Sequence, residues 1–301
     1  MNTMAKRLTA AAAALVIAAG SVYTGVCLTE NGKVSAAETS AQTASAYKGK
    51  TPKYIFMFIG DGMSYPQIQV TQDYYSALRD TNNNDILEAD SYLNFTHFEA
   101  AGSAITYDST SFCPDSASTA TSLSTGYKTY SGTINMDETF TTSYETIAEK
   151  LKDQLGYKVG IISSVNLNHA TPAAYYAHQA SRNNYYEIGL EMIDSDFDYF
   201  AGGGLKQTNG KNGDKANIYD LAEKKGYNVV MTQAEAEKLS PEDGKTIIIG
   251  ETLADSDSLS YANDRKKGEW ALSDYVDKGI EMLDNDKGFF MMVEGGKIDW
   301  A

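Results

Sequence analysis

Cysteine and histidine are scarce in this 301-residue sequence, which has two cysteines and three histidines. Cys27 lies before the predicted export cleavage point, so Cys113 would be alone in the mature chain and no disulfide is expected. No histidine lies near Cys113 in the sequence. We therefore expect Cys113 to be a small packing residue and not a nucleophile.

Positive charge is also limited. Twenty-five Lys and Arg residues against forty Asp and Glu residues give a formal net charge of -15. Such a chain has nothing to offset the repulsion of nucleic-acid phosphates, so nucleic-acid binding is excluded as a function.

Apart from the N-terminus, no apolar run is long enough to suggest a membrane span. Lys6 and Arg7 precede the short run LTAAAAALVIAAG, which is typical of a signal peptide. We expect a signal peptide at 1–37, a flexible leader at 38–50, a folded domain at 51–301 and export from the cell, with no stable membrane insertion. An uncleaved anchor or a lipid-modified Cys27 are alternatives, although TGVC lacks the small residue expected before a modified cysteine.

Apolar runs alternate with helical patterns along the rest of the chain, which predicts an α/β fold with a largely parallel sheet sandwiched between helices. The candidate strands are YIFMFIG as a buried strand, the shorter SAITYDS, KVGIISSV, DYFAG, YNVVMT, TIIIG and GFFMMVEG.

Helix boundaries have clear signals. A helix should follow Ser116 and end at Gly126, which can adopt the left-handed conformation. Thr142 and Glu145 predict a capping box for the helix in TSYETIAEKLKDQLG. Pro172 should open a helix in PAAYYAHQAS, and GEWALSDYVDKGIEMLD should form another.

Polar side chains follow several predicted strands at their carboxyl ends, where ligands bind in open α/β sheets. They are Asp61, His169, Thr171, Glu294 and Asp299. Any one of them could be a solvated loop residue or a helix cap. Together, the acids would repel one another unless cations lay between them, and their oxygen atoms suit magnesium, or zinc where histidine joins.

Ser116 lies in the first turn of its predicted helix, where the helix dipole and free N–H groups favour negative charge. A hydroxyl there is a candidate nucleophile. Asp115 could orient an arriving group, but either residue could simply be the N-cap.

Four motifs in order, FIGDGM, PDSASTATSLSTG, HATPAAYYAHQASR and VEGGKID, resemble those of the alkaline phosphatases. The resemblance runs from about Tyr54 to the last residue. It implies an alkaline phosphatase-like sheet, phosphomonoester substrates and a homodimer.

The resemblance also implies roles for individual residues. Ser116 would be the nucleophile that becomes a phosphoserine, Arg182 would hold two phosphate oxygens, and Asp115 would help to bind substrate. His169 and Trp300 would lie behind the metal ligands, as in a subset of bacterial members, with His169 acting on the magnesium site through water. His178 is expected to be a packed helix residue.

Two zinc ions and one magnesium ion are the cofactors that the resemblance implies. Asp61 would bridge the second zinc and the magnesium, Thr171 and Glu294 would complete the protein ligands of the magnesium, and Asp299 would bind the first zinc. The family's remaining zinc ligands, mostly histidines, find no counterpart among the three histidines here. We therefore expect a fold incomplete at its C-terminus and little activity from residues 47–301 alone.

Other functions remain open at this point. A sulfatase would need C-x-P-x-R, whereas Cys113 is followed directly by Pro114. A phosphodiesterase would usually carry threonine in place of Ser116. A non-catalytic metal- or phosphate-binding protein would keep the acids and Arg182 but would not need Ser116.

Overall fold

The computed structural model describes residues 50–80 and 92–301, together with the backbone of two short strands, β1 (Val26–Leu28) and β2 (Val34–Ala36). The chain divides into two compact units, 1–51 and 52–301. In the first unit β1 and β2 pair antiparallel, with Cys27 opposite Ser35. The predicted signal peptide and leader otherwise lie outside the described residues. No helix in the part that the structure describes is long and apolar enough to cross a membrane.

A six-stranded sheet forms the centre of the second unit, and all its strand pairs are parallel. The strand order is β3-β8-β4-β5-β7-β6. The parallel α/β prediction is confirmed. The strands are β3 (Tyr54–Gly60), β4 (Lys158–Ser163), β5 (Tyr199–Gly202), β6 (Asn228–Val230), β7 (Thr246–Ile249) and β8 (Phe289–Gly295).

Helices connect the strands and cover the sheet. They are α1 (Tyr65–Arg79), α2 (Ser116–Thr125), α3 (Ile147–Leu155), α4 (Ala170–Ala173), α5 (Tyr185–Asp194), α6 (Ile218–Lys224), α7 (Gln233–Ala236) and α8 (Leu272–Leu283). Short 3₁₀ turns lie at Asn94–His97, Pro241–Asp243, Asp255–Asp257 and Gly296–Trp300.

Side chains of the central strands alternate between two hydrophobic cores, one on each face of the sheet. Val159 and Ile161 join the core that α2, α3, α5 and α6 cover, whereas Ile162 joins the core under α7 and α8. On β8, Phe290 faces the first core and Phe289 the second. Each fully buried side chain of this size contributes roughly 1.5–3 kcal/mol through burial, which fixes the strand register.

The prediction that β3 is buried is wrong for one of its faces. Tyr54, Phe56 and Phe58 are 39–66% exposed, while Ile55 and Met57 on the other face pack against the core. β3 forms one edge of the described sheet, and its exposed aromatic side chains belong to neither of the two cores of the described residues.

The capping box of α3 lies four residues later than predicted. Thr146 Oγ accepts from Glu149 N, and the Glu149 carboxylate accepts from Thr146 N, so the helix begins at Ile147. Thr142 lies before the helix, in a segment where its N–H donates to Asp137 Oδ1 and Ser143 forms an antiparallel bridge with Met136. The predicted helix end at Gly126 is confirmed, and α3 ends in the same way at Gly156, which has a left-handed backbone.

SAITYDS, at 103–109, is not a strand. Asp108 is buried, and its Oδ1 accepts the backbone N–H groups of Thr110 and Ser111, which turns the chain. The backbone of Ser109 donates to Thr129, outside any ladder. The Asp108 side chain thus bonds to the local backbone in a turn, and this turn takes the place of the predicted strand.

The helix predicted to open at Pro172 is shorter and begins earlier, as the four-residue α4. Its continuation is prevented by competing donors. Asn135 Nδ2 donates to the carbonyls of Ala174 and Ala177, and Thr146 Oγ donates to that of Tyr175. The chain then becomes extended and leads to Arg182.

Candidate active site

Ser116 is the first residue of α2, and Asp115 is its N-cap, accepting from Ser118 N at 3.2 Å. Ser116 Oγ donates to Asp61 Oδ2 at 2.8 Å. The Ser116 hydroxyl at the start of α2 is therefore hydrogen-bonded to the carboxylate of Asp61, which follows β3.

A tight turn at the end of β3 carries Asp61. Gly62 has φ 66°, and a Cβ atom there would lie 2.6 Å from Asp299 Oδ1. Only glycine tolerates both the left-handed backbone and this close approach. The turn thus brings Asp61 next to Asp299, which follows β8.

The pKa of Asp61 is raised. Burial is the main cause and the negative charge of Asp299 adds to it, while the Ser116 hydroxyl and the Arg182 guanidinium act in the opposite direction. A raised pKa means that the folded chain disfavours the ionised carboxylate at this position.

Glu294 is fully buried at the end of β8. Its Oε2 accepts from Ser163 Oγ, whereas Oε1 has no hydrogen-bond partner among the described residues. The pKa of Glu294 is raised to about 7, mainly by burial and also by the nearby Asp61 carboxylate, while the hydroxyls of Ser163 and Thr171 and the Arg182 guanidinium act in the opposite direction. A buried oxygen without a partner is costly and calls for a positive ligand.

The donor set around Asp61, Thr171 and Glu294 fits magnesium. It consists of hard oxygen atoms, and magnesium commonly uses one or two carboxylates and keeps several waters. Within 50–80 and 92–301, no three His, Cys, Asp or Glu side chains converge well enough to hold a metal by themselves.

Arg182 is held from two sides. Its Nη1 donates to Asp115 Oδ2 at 2.8 Å, and its Nη2 lies 3.2 Å from His169 Nε2. Asp115 Oδ1 also accepts from the backbone N–H of Gly132 at 2.9 Å. The planar guanidinium is thereby fixed at the cleft before any ligand arrives.

The pKa of Asp115 is lowered, opposite to that of Asp61. Burial by itself would raise it, but the Gly132 N–H, the Arg182 guanidinium and the donors of Ser118 outweigh burial. Asp115 is thus a stable anion that serves both α2 and Arg182.

His169 is buried and uncharged at neutral pH. Burial lowers its pKa to about 4, and the adjacent Arg182 contributes in the same direction. Its Nε2 can therefore accept from Arg182, while Nδ1 has no partner in the described part of the chain. The His169 and Trp300 rings lie edge to face with their centroids 6.1 Å apart.

These side chains surround a cleft of about 560 Å³. Eight of the nine predicted site residues line it, and Glu294 lies buried beside Asp61. The convergence expected from sequence is observed, while the individual roles stay predictions. The lining residues among them are Asp61, Asp115, Ser116, His169, Thr171, Arg182, Asp299 and Trp300.

A family model for alkaline phosphatase matches residues 52–301. The chain belongs to the alkaline phosphatase family. It is 31% identical to alkaline phosphatase 4 of Bacillus subtilis, over all of this chain and 61% of that protein. It is 30% identical to alkaline phosphatase 3 of the same organism, over 89% of this chain and 56% of that protein.

Solved alkaline phosphatase structures share the fold. The cold-active enzyme of the psychrophile Shewanella sp. matches with a TM-score of 0.68 and 28% identity, over 82% of this chain and 57% of that one. The enzyme of the Antarctic bacterium TAB5 matches with 0.67 and 28%, over 83% and 67%. A variant of the TAB5 enzyme has magnesium bound. The chain therefore spans about three fifths of the length of its Bacillus relatives.

Two residues of this candidate site were not predicted from the sequence. Ser163 holds Glu294 Oε2, and its place directly after the apolar run of β4 was the available signal. Asp108 accepts from Ser118 Oγ at 2.9 Å, and that hydroxyl is also 2.9 Å from Asp115 Oδ1. Asp108 was not predicted as a site residue because the sequence pattern of its segment, SAITYDS, favours a strand.

Two further predictions are corrected. Cys113 is exposed and does not pack in the core. His178 is not in a helix: it is half-buried in the extended segment before Arg182, close to Glu149 and Glu191. The predicted helix stops before His178 because the side chains of Asn135 and Thr146 donate to the backbone carbonyls that follow α4.

Proposed function

We propose that the protein is a metal-dependent phosphomonoester hydrolase that acts through a phosphoserine on Ser116 and releases inorganic phosphate. The observation that carries the proposal is the 2.8 Å hydrogen bond from Ser116 Oγ to Asp61, in a cleft that also holds Arg182. Membership of the alkaline phosphatase family supports the same reaction.

Ser116 Oγ forms the new bond to phosphorus, the P–O bond to the leaving alcohol breaks, and the alcohol takes up a proton. The N-terminus of α2 favours the negative charge that develops there. Water then breaks the bond between Oγ and phosphorus, which restores the hydroxyl and releases phosphate.

Arg182 would grip two oxygens of the phosphoryl group, which is the contact that a planar guanidinium makes best. Asp115 and His169 keep its two amino groups aimed at the cleft. Substrate orientation is therefore supplied by a side chain that needs little rearrangement.

Divalent cations bound at the carboxylates would lower the pKa of the serine hydroxyl and stabilise the leaving oxygen. We propose magnesium at Asp61, Thr171 and Glu294, and two zinc ions, with Asp61 and Asp299 among their ligands. Metal removal from the full-length protein, followed by reloading with each ion and elemental analysis, would establish the number and kind of ions.

The decisive experiment is to mix the full-length protein with an aryl phosphate, quench it in acid and map the phosphate by mass spectrometry. We expect phosphate on Ser116 in the wild type and none in S116A, whose turnover should also be lost. S122A is the matched control, since Ser122 lies on the same helix and its hydroxyl donates to the carbonyl of Ser118.

Turnover that survives in S116A would overturn the proposal. Binding of phosphate by both wild type and S116A, without turnover by either, would favour a binding protein. Faster hydrolysis of a diester than of a monoester would favour a phosphodiesterase.

We further propose that the protein is exported and forms a homodimer. Export is supported by the basic residues and the apolar run at the N-terminus. Light scattering of the purified protein tests the dimer, and N-terminal sequencing of protein recovered outside the cytoplasm tests cleavage near Ala37.

A further inference from the structure

The segment that carries Arg182 into the cleft is extended and held by backbone hydrogen bonds. Gln179 and Ile134 exchange both of their backbone hydrogen bonds at 2.9 Å. Arg182 N–H donates to the carbonyl of Gly132 at 2.7 Å. The register of the segment 178–182 against the segment 132–134 therefore determines where the Arg182 guanidinium lies in the cleft.

One carboxylate outside the cleft holds this segment from the other side. Glu191, on α5, accepts the backbone N–H of His178 at 2.5 Å through Oε2 and the side-chain amide of Gln179 through Oε1. The Oε1 atom of Gln179 in turn accepts from Asn184 Nδ2 at 2.9 Å. Glu191 thus fastens two consecutive residues shortly before Arg182 to a helix of the core.

The imidazole of His178 lies between two carboxylates. Its Nε2 is 3.6 Å from Glu149 on α3 and 3.1 Å from the carbonyl of Tyr144, and its Nδ1 is 3.9 Å from Glu191. His178 is not among the residues that line the cleft. The cluster therefore lacks direct contact with substrate and can affect the reaction only through the segment.

We propose that Glu191 is a positioning residue for Arg182, fixing the segment 178–182 so that the guanidinium meets two oxygens of a bound phosphate. The inference rests on the proposed function. A carboxylate is required because both of its oxygens must accept hydrogen bonds. An amide would direct its NH₂ group at one of the two donors, and aspartate is shorter by one methylene.

The test compares E191Q with E187Q in the full-length protein. Glu187 lies on the same helix and pairs with Lys215 at 2.8 Å, away from the segment, so it is a matched control. We expect E191Q to raise both KM and the dissociation constant of inorganic phosphate roughly three- to tenfold, with kcat within about twofold, because one charged hydrogen bond to the segment is lost. E187Q should leave both unchanged.

A double-mutant cycle separates positioning from general destabilisation. If Glu191 acts through Arg182, E191Q should weaken phosphate binding in the wild type but add nothing in an R182A background. A similar loss in both backgrounds, or no loss in either, would overturn the inference.

A second variant covers the case in which E191Q does not fold. Q179L removes the amide contact to Glu191 together with the bond from Asn184, and leaves the bond from His178 N–H to Glu191 in place. It should weaken phosphate binding in the same direction by a smaller factor, and unchanged binding would count against the inference. Calorimetry with phosphate gives a result even without turnover. Lack of turnover in the wild type would therefore contradict the proposed function, while the phosphate affinities still decide the role of Glu191.

Discussion

Asp61 and Asp115 are half-buried aspartates in one cleft, yet their surroundings shift their pKa values in opposite directions. Asp61 has one hydroxyl donor and faces the negative charge of Asp299. Asp115 accepts from the backbone of Gly132 and from Arg182. On the arginine side of the cleft, the negative charge of Asp115 is thus balanced by Arg182. On the carboxylate side, the charges of Asp61 and Asp299 repel each other.

The difference indicates that the two sides of the cleft suit ligands of opposite charge. The arginine side is a preformed anion site, because its guanidinium is already oriented by neighbouring side chains. The carboxylate side gathers negative groups and a buried oxygen of Glu294 without a partner. Such a cluster becomes favourable once a cation supplies the missing charge.

The largest expected effect comes from comparing D61N with D115N in the full-length protein. D61N keeps the shape but removes the charge from the cation side, so we expect kcat/KM for an aryl phosphate to fall roughly 10³-fold or more. D115N can keep its oxygen on Arg182 only with its NH₂ group turned towards the Gly132 N–H, so it should weaken the anchoring of Arg182 and lose about tenfold. Steady-state kinetics measure both. Equal losses would remove the distinction between the two sides.

Arg182 offers the second test. R182A should weaken inorganic phosphate binding roughly 10- to 100-fold, and R182K should recover only part of it, because an ammonium cannot reproduce the two-pronged contact. Calorimetric titration with phosphate gives the affinities. Metal content should be unchanged in both variants, and loss of metal from R182A would show that the two sides depend on each other.

The third test measures how Glu294, on the carboxylate side of the cleft, affects the free energy of unfolding. Its pKa is raised above the ordinary value of 4.5 to about 7. The proton that it binds thus stabilises the metal-free fold at low pH, and that contribution is lost as pH rises through 7. In EDTA at pH 8 we expect E294Q to be roughly 2 kcal/mol more stable than the wild type, with the difference disappearing towards pH 5.

Urea unfolding at the two pH values measures that difference, with E237Q as an exposed control. Added magnesium should stabilise the wild type and not E294Q. Equal stabilisation of both proteins by magnesium would remove Glu294 from the cation site.

The smallest effect is expected at His178. Burial alone would lower its pKa, but Glu149 and Glu191 outweigh burial and raise the pKa above 6.5. Its ion pairs therefore stabilise the fold fully below pH 6.5, and this contribution is lost as pH rises through the higher folded pKa.

The variant H178Q should accordingly be less stable than the wild type at pH 6, by roughly 1 kcal/mol, and nearly equal to it at pH 9. Unfolding curves at both pH values test this. A deficit that grows with pH would contradict the assignment.

Much of the site could be predicted from the sequence because its residues follow strong local signals. Asp61 and Glu294 follow apolar strands, and parallel strands necessarily bring their carboxyl ends to one edge. Ser116 follows a capping aspartate and precedes a helix that a glycine ends. These signals lie within a few residues of the side chain concerned.

The failures share a different cause. The capping box at Thr142, the helix at Pro172 and the strand SAITYDS were each overridden by polar side chains that bond to the backbone. Asp137 and Asp108 do so within five residues. At the end of α4, the bonding side chains Asn135 and Thr146 come from distant parts of the chain. Asn135 alone takes two carbonyls near the end of α4. No local pattern predicts the two Asn135 bonds, since donor and acceptor are about 40 residues apart.

The sequence by itself determined the parallel α/β architecture and which oxygen-bearing side chains would meet at the carboxyl edge, because hydrophobic periodicity and strand direction are local properties. Only the tertiary structure decided how each group is charged and held. The opposite pKa shifts of Asp61 and Asp115, the lone oxygen of Glu294 and the grip of Glu191 on the segment before Arg182 all depend on burial and on partners brought together by folding.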